Sequence, residues 1–186
     1  MAHSEAKSDN GFRYAVFDTS IGACGIAWRE SDTSTLAAFQ LPASTAEATE
    51  ARMVRWMGGM KADPPVAMVA VIDRVRRHLD GVSDDFLDIP LDYAGVGDFE
   101  RRVYEHSRTI LPGRTSTYGE IAKALGQPGA ARAVGQALGR NPLALIVPCH
   151  RVLAAGQQPG GFSAPGGRST KARLLNIERA ILTLDL

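Results

Sequence analysis

Cysteine is scarce in this chain: Cys24 and Cys149 are the only two among 186 residues. Two thiols cannot build a disulfide scaffold, and neither stands at metal-ligand spacing from partners. Long apolar runs are missing as well. None approaches the roughly 20 residues that a membrane helix needs. The opening stretch MAHSEAKSDNG has no secretory h-region and is expected to form a solvated, flexible tail over residues 1–11. Internal repeats and low-complexity tracts are absent too. At 45% hydrophobic and 22% charged residues the composition is that of a folded globular protein and excludes a disordered one. A reducing, cytoplasmic setting and a monomeric state are the expectations these absences leave. Reducing conditions matter, because a thiol must stay reduced to react.

Net charge is nearly absent, at +1, but the balance is uneven along the chain. Residues 1–95 carry −5 and residues 96–186 carry +6. An acidic half joined to a basic half suggests that the second half alone meets a polyanion. The length suits one medium domain or two small ones, and we place a boundary near 94–97, giving units 1–94 and 95–186.

The first unit reads as small and mixed α/β. RYAVFDTS (13–20) and GACGIAWRE (22–30) have the β-branched and aromatic content of two strands joined through Gly22, and TLAAFQL (35–41) is a third. TAEATEARMVRWM is helix-prone. PPVAMVAVIDRVRRHLDG (64–81) puts Met68, Ile72, Val75 and Leu79 on one helical face and stops at Gly81. The second unit is mainly helical. DFERRVYEHSRTI (98–110) spaces Phe99, Val103, His106 and Ile110 for a helix. TYGEIAKALG (117–126) opens with the capping-box pair Thr117 and Glu120 and closes on Gly126. QPGAARAVGQALG (127–139) is expected to start a helix with Pro128 at its first position. Two short helices with a brief link, the second rich in small residues, form a helix-turn-helix signature. Arg132 sits in the first turn of that second helix. A lone arginine there is often a surface solubiliser, but in a basic unit this is where nucleic-acid contacts concentrate.

The stretch NPLALIVPCHRVL (141–153) delivers Cys149 straight out of an aliphatic run. An isolated thiol usually serves as a small core hydrophobe. Here His150 and Arg151 follow it, and a reactive cysteine needs such a base or cation nearby. Neighbours on a strand face opposite ways, so Cys149 and His150 can cooperate only if Pro148 starts a turn. A third group should orient the imidazole, and Glu178 on the last helix, TKARLLNIERAIL, is the best placed carboxylate.

The PCHR core, with Asn-Pro eight residues before the cysteine, AARAVGQAL upstream and GGFS downstream, resembles the O6-alkylguanine-DNA alkyltransferase family over about residues 97–180. The resemblance implies a ribonuclease-H-like N-terminal α/β domain and a mainly α, winged-helix C-terminal domain. It implies repair of duplex DNA carrying O6-alkylguanine, with O4-alkylthymine as a second lesion, by base flipping and stoichiometric alkyl transfer. Cys149 would accept the alkyl group. His150 would deprotonate it through a water, and Glu178 would hold the imidazole. Asn141 would sit in a hinge, and Tyr118 would give a proton to N3 of the flipped guanine. Arg132 would fill the vacated stack from a helix whose small residues, Ala130, Ala131 and Gly135, approach the DNA. Ser163 would contact O6, Arg151 would join the substrate- and DNA-binding set, and the carbonyls of Cys149 and Val152 would accept from the guanine amino group. No cofactor is implied. Some members of the family hold zinc through an N-terminal Cys/His set, but His3 and Cys24 lack companions, so no metal is expected and Cys24 is assigned to the core. The segment APGGRSTKARLL after Ser163 is about two residues longer than the family's shortest loops. Two other readings share parts of the pattern: a winged-helix DNA-binding regulator with a structural or redox-sensing cysteine, and a Cys-His-Glu hydrolase.

Overall fold

The computed structural model describes residues 11–30 and 35–179. Most of the expected tail, His3 and residues 180–182 of the expected last helix lie outside the described residues. The fold is mixed α/β, with six α-helices, a four-stranded sheet and a two-stranded pair among the described residues.

Strands β1 (Phe12–Thr19) and β2 (Gly22–Arg29) form an antiparallel hairpin. Gly22 takes a φ of 126°, which the tight corner requires and which a side chain resists. Strand β3 (Thr35–Gln40) pairs antiparallel with β2, and the two-residue β4 (Met60–Lys61) runs parallel to β1, giving the order β3-β2-β1-β4. Alternation along β2 sends Cys24, Ile26 and Trp28 into the main core and Ala27 to the other face. That other face is covered by α1 (Ala46–Met57), capped by the Thr45 side chain and anchored by Met53. Gly25 is needed there: a Cβ on it would lie 2.6 Å from Cγ of Met53. Helix α2 (Val66–Leu79) packs on the main core through Met68, Ile72, Val75 and Leu79, the four positions the spacing predicted. Each such side chain stabilises the fold by about 1.5–3 kcal/mol on burial.

Helices α3 (Asp98–Arg108), α4 (Tyr118–Ala124) and α5 (Ala131–Gly139) pack against one another. The expected face of α3 needs correction. His106 is only half-buried, and the inward residues beside Val103 are Tyr104, Ser107 and Arg108. Polar capture explains it. The Tyr104 hydroxyl donates to the Ala137 carbonyl of α5 at 2.9 Å, and Ser107 donates to the Val103 carbonyl at 2.7 Å. The start of α5 also differs from expectation. Pro128 and Gly129 lie in a turn closed by the Ala130 N–H on the Gln127 carbonyl, so the helix begins at Ala131. The capping box on α4 is present in both directions, Thr117 to the Glu120 N–H and Glu120 to the Thr117 N–H.

The aliphatic run 143–147 is not a regular strand. It is a buried loop joined to the β3 edge, where the Phe39 N–H donates to the Pro142 carbonyl at 2.9 Å. The main hydrophobic cluster runs without interruption from β1 to α6 (Gly167–Ile177). Between the two halves, Nη2 of Arg108 reaches the carbonyls of Phe86, Leu87 and Ile89 at 2.8, 2.8 and 3.0 Å. Replacing Arg108 with Met would leave those carbonyls without their donor. Urea unfolding of that variant should show a loss of about 2–4 kcal/mol. A loss below about 0.5 kcal/mol would show that solvent serves those groups equally well.

Candidate active site

Cys149 is delivered by a loop that ties itself shut. Asn141, at the end of α5, accepts from the Leu143 N–H on Oδ1 and donates from Nδ2 to the Val147 carbonyl, each at 2.9 Å. Both ends of the 141–147 loop are thereby fixed on one buried amide. Leu145 carries a left-handed φ of 78° inside it, a conformation that a branched side chain keeps only when its surroundings impose it. Pro148 then opens a one-turn 3₁₀ helix, Cys149–Arg151, so that successive side chains fan out rather than alternate. The turn that Pro148 made plausible is there.

Three elements converge on Glu178, at the C-terminal end of α6. Nε2 of His150 lies 2.9 Å from Oε1, and Nε2 of His78 lies 3.0 Å from the same oxygen. Arg151 donates from Nη2 to Oε1 at 2.8 Å and from Nε to Oε2 at 2.9 Å, while its Nη1 donates to the Ile110 carbonyl at 2.6 Å. All four side chains are essentially inaccessible to solvent. Burial alone would push the Glu178 carboxyl up. The hydrogen bonds from His150, His78 and Arg151 overcome that and hold it well below the usual carboxylate range. Burial pushes the His150 imidazole down, with Glu178 pulling it back only in part. His150 is therefore neutral at rest. Its Nε2–H donates to the ionised Glu178, which leaves Nδ1 as the basic atom, and Nδ1 is buried with no hydrogen-bond partner among the described residues.

Cys149 is 7% exposed and lies at the foot of a cleft of about 560 Å³ walled by Tyr118, α5 and the 161–163 loop. Burial pushes the thiol up, opposed by the Asn141 side chain and by the charge of Lys171. Lys171 is itself fully buried, donates to the Val152 carbonyl at 2.6 Å, and is pushed by burial down to about 8. It remains a cation at neutral pH. Tyr118 reaches the cleft because β5 (Ser116–Thr117) pairs parallel with β6 (Val152–Leu153), setting the start of α4 beside the chain that follows Cys149. Gly160 (φ 62°) passes over its ring, where a Cβ would lie 3.2 Å from the hydroxyl. Gly135 of α5 faces the same ring. A second cavity, of about 180 Å³, adjoins Cys149 and Ser163 and is bounded by Arg52 and Trp56 of α1.

The structure thus brings together Cys149, Tyr118, Ala131, Arg132, Gly135 and Ser163 around one cleft, with Asn141 and His150 beneath it and Glu178 behind. Ala130 is the N-cap of α5, beside the cleft rather than in its lining. Val152 is buried, with its carbonyl already accepting from Lys171. Arg151 requires correction. It was expected to meet substrate or DNA, but its three guanidinium nitrogens all donate inward, to Glu178 and the Ile110 carbonyl. Its role is to hold Glu178. Sequence reasoning missed His78, Lys171 and Gly160. A basic residue on the apolar face of α6 was the available signal for Lys171; nothing local marked His78.

This fold and site define a protein built around one buried thiol, with an imidazole-carboxylate pair behind it and a helix pair over its cleft. A family model described as the 6-O-methylguanine DNA methyltransferase DNA-binding domain matches residues 98–180. A methylated-DNA–protein-cysteine methyltransferase of Mycobacterium tuberculosis is 43% identical over 122 residues, 66% of this chain and 72% of the relative. A Thermus thermophilus DNA base-flipping protein is 40% identical over 123 residues, 66% of this chain and 80% of that one. The crystal structure of M. tuberculosis OGT in complex with DNA superposes with a TM-score of 0.69 at 33% identity, covering 90% of this chain and 92% of that one. The chain belongs to the methylated-DNA–protein-cysteine methyltransferase family.

The neutral state of His150 has a consequence for stability. Because its folded pKa lies below the unfolded value of about 6.5, the unfolded chain takes up that proton first. The stabilisation is fully present above pH 6.5 and is lost as the pH falls. Glu178, also lowered, gives up its share only below about pH 4.3, the ordinary glutamate value. The free energy of unfolding should therefore drop by about 1–2 kcal/mol between pH 7 and pH 5, and by less in His150→Asn. Equal slopes in urea titrations of the two proteins would contradict a neutral His150.

Proposed function

We propose that this protein repairs duplex DNA by moving the alkyl group of O6-alkylguanine onto Cys149 in one irreversible step. The observation that carries this reading is the position of the thiol: it lies at the foot of a cleft large enough for one purine, with an unpartnered imidazole nitrogen as its base. In this reading the Cys149 proton passes through a water to Nδ1 of His150, giving an imidazolium that Glu178 stabilises. The thiolate attacks the saturated carbon in line with O6, a carbon–sulfur bond forms, and the carbon–oxygen bond breaks. Guanine leaves as an oxyanion that would be costly unless neutralised, and the Tyr118 hydroxyl supplies a proton to N3. Burial raises the Tyr118 hydroxyl, and a nearby thiolate raises it further, so it remains protonated until the leaving group needs it. The product is a thioether with no hydrolysable bond, which makes the protein stoichiometric rather than catalytic.

The lesion must leave the base stack to reach sulfur, at a cost of about a few kcal/mol. Arg132 is exposed at the rim of the cleft, on the first turn of α5, where it can fill the vacated space. Ala131 and Gly135 keep that helix face small, so backbone can approach the duplex. Ser163 takes the O6 side. The carbonyls of Cys149 and Val152 each already accept one hydrogen bond, from the Val152 N–H and from Lys171, and each keeps a second lone pair for the guanine amino group. Within this reading the acidic residues 1–94 form a ribonuclease-H-like domain. Residues 95–186 form a winged-helix domain that meets DNA, and the protein works in the cytoplasm as a monomer.

Incubation with an O6-methylguanine duplex, followed by intact-protein and peptide mass spectrometry, tests the reaction. One methyl per chain on Cys149 is expected, saturating at one equivalent and absent in Cys149→Ser. Turnover beyond one equivalent, or no adduct, would refute it. Arg132→Ala should slow repair of the duplex at least tenfold while leaving reaction with the free modified base within about twofold, on the flipping cost given above. Equal losses on both substrates would disprove the intercalating role.

A further inference from the structure

The carboxylate behind the imidazole is shared with a residue from the other half of the chain. His78, on α2, is 2% exposed. Its Nδ1 accepts from the Asp84 N–H at 3.2 Å, so that nitrogen carries no proton, and Nε2–H must be the donor to Oε1 of Glu178. The ring is wedged against Phe86, with centroids 5.0 Å apart. We propose that His78 is a positioning residue for the transfer reaction: its Nε2–H holds the Glu178 carboxylate in place and, by sharing Oε1 with His150, limits how strongly Glu178 draws on the His150 imidazole. This inference depends on the alkyl-transfer reading above.

The charged and titratable groups around the pair are few. Glu178 comes from α6, His150 and Arg151 come from the one-turn helix, and Asp84 comes from the segment after α2, where both its oxygens are paired with Arg74. A small cavity of about 180 Å³, lined by Gly81, Ser83, Ile177 and Arg179, also touches His78 and Glu178 and shares no residue with the Cys149 cleft. His78 is thus the outer end of a hydrogen-bonded line running from His150 through Glu178 to the Asp84 main chain.

If one donor is lost from Oε1, Glu178 binds His150 more strongly and favours its charged form. An imidazolium cannot accept the thiol proton, so the acid limb of the transfer rate moves to higher pH. Two variants separate positioning from packing. His78→Asn keeps an acceptor for the Asp84 N–H but lacks the reach to donate to Glu178, whereas His78→Gln places its amide nitrogen where Nε2 was. Single-turnover methyl transfer from an O6-methylguanine duplex, followed by mass spectrometry from pH 5 to 9, is the measurement. The acid limb should rise by roughly half to one pH unit in His78→Asn and stay at the wild-type position in His78→Gln. Coincident profiles in all three proteins, whatever their melting temperatures, would reduce His78 to a structural tie. Wild-type protein that transfers no methyl would instead overturn the alkyl-transfer reading, and this inference with it. Should either variant fail to fold, ¹⁵N NMR of the wild-type imidazoles decides. Neutral His78 protonated at Nε2 supports the proposal, and protonation at Nδ1 or a charged ring at pH 7 overturns it.

Discussion

The carboxylate of Glu178 is the constraint on which the rest of the site depends. A buried glutamate survives as an anion only if donors replace the water it has lost. Here they come from α2, from the one-turn helix after Pro148, and twice from Arg151. The charge of Arg151 balances that of Glu178, and the Nε2 atoms of the two histidines complete the contacts of the carboxylate. A balanced cluster can sit in the core at tolerable cost. It also leaves room for one more proton, because an imidazolium at His150 would still face the ionised carboxylate. The core thus contains a prepared acceptor one residue from the thiol in sequence.

That acceptor is useful only because the backbone around it is held rigid. Asn141 closes the 141–147 loop with two hydrogen bonds, the β3 edge holds Pro142 and Leu143, and Lys171 fastens the Val152 carbonyl. The backbone that presents Cys149 to the cleft is therefore held on both sides. The parallel pair β5–β6 fixes Tyr118 relative to the same stretch, so the proposed nucleophile and the proposed proton donor share one short backbone frame. This kind of placement lowers a barrier by removing the need to search for geometry.

Much of this was legible in the sequence. The hairpin through Gly22, the apolar stripe on α2 and the Thr117–Glu120 capping box are local patterns, and local patterns are what a sequence displays directly. The cleft residues were legible for a different reason: the Asn-Pro to Pro-Cys-His-Arg spacing resembles a family. What failed depended, apart from one local turn, on contacts distant in sequence. His106 lost its inward place because Tyr104 found the Ala137 carbonyl on another helix. Pro128 lost the first position of α5 because the Gln127–Ala130 turn absorbed it. Arg151 looked like a contact for DNA because nothing near it showed that Glu178, 27 residues later, would take up its fork. His78 lies 100 residues from Glu178, and no periodicity connects them.

The same reasoning bears on why the two halves are joined. Charge separates them, acidic before about residue 95 and basic after it, and only the second half carries the cleft. If the first half were merely an appended neighbour, its polar contacts with the second would be superficial. They are not. His78 enters the buried cluster at Glu178, the β3 edge holds the loop that leads to Cys149, and Arg52 and Trp56 bound the cavity beside the sulfur. Cys149 is only 7% exposed, and these contacts brace the structure around it. The N-terminal half supplies that bracing.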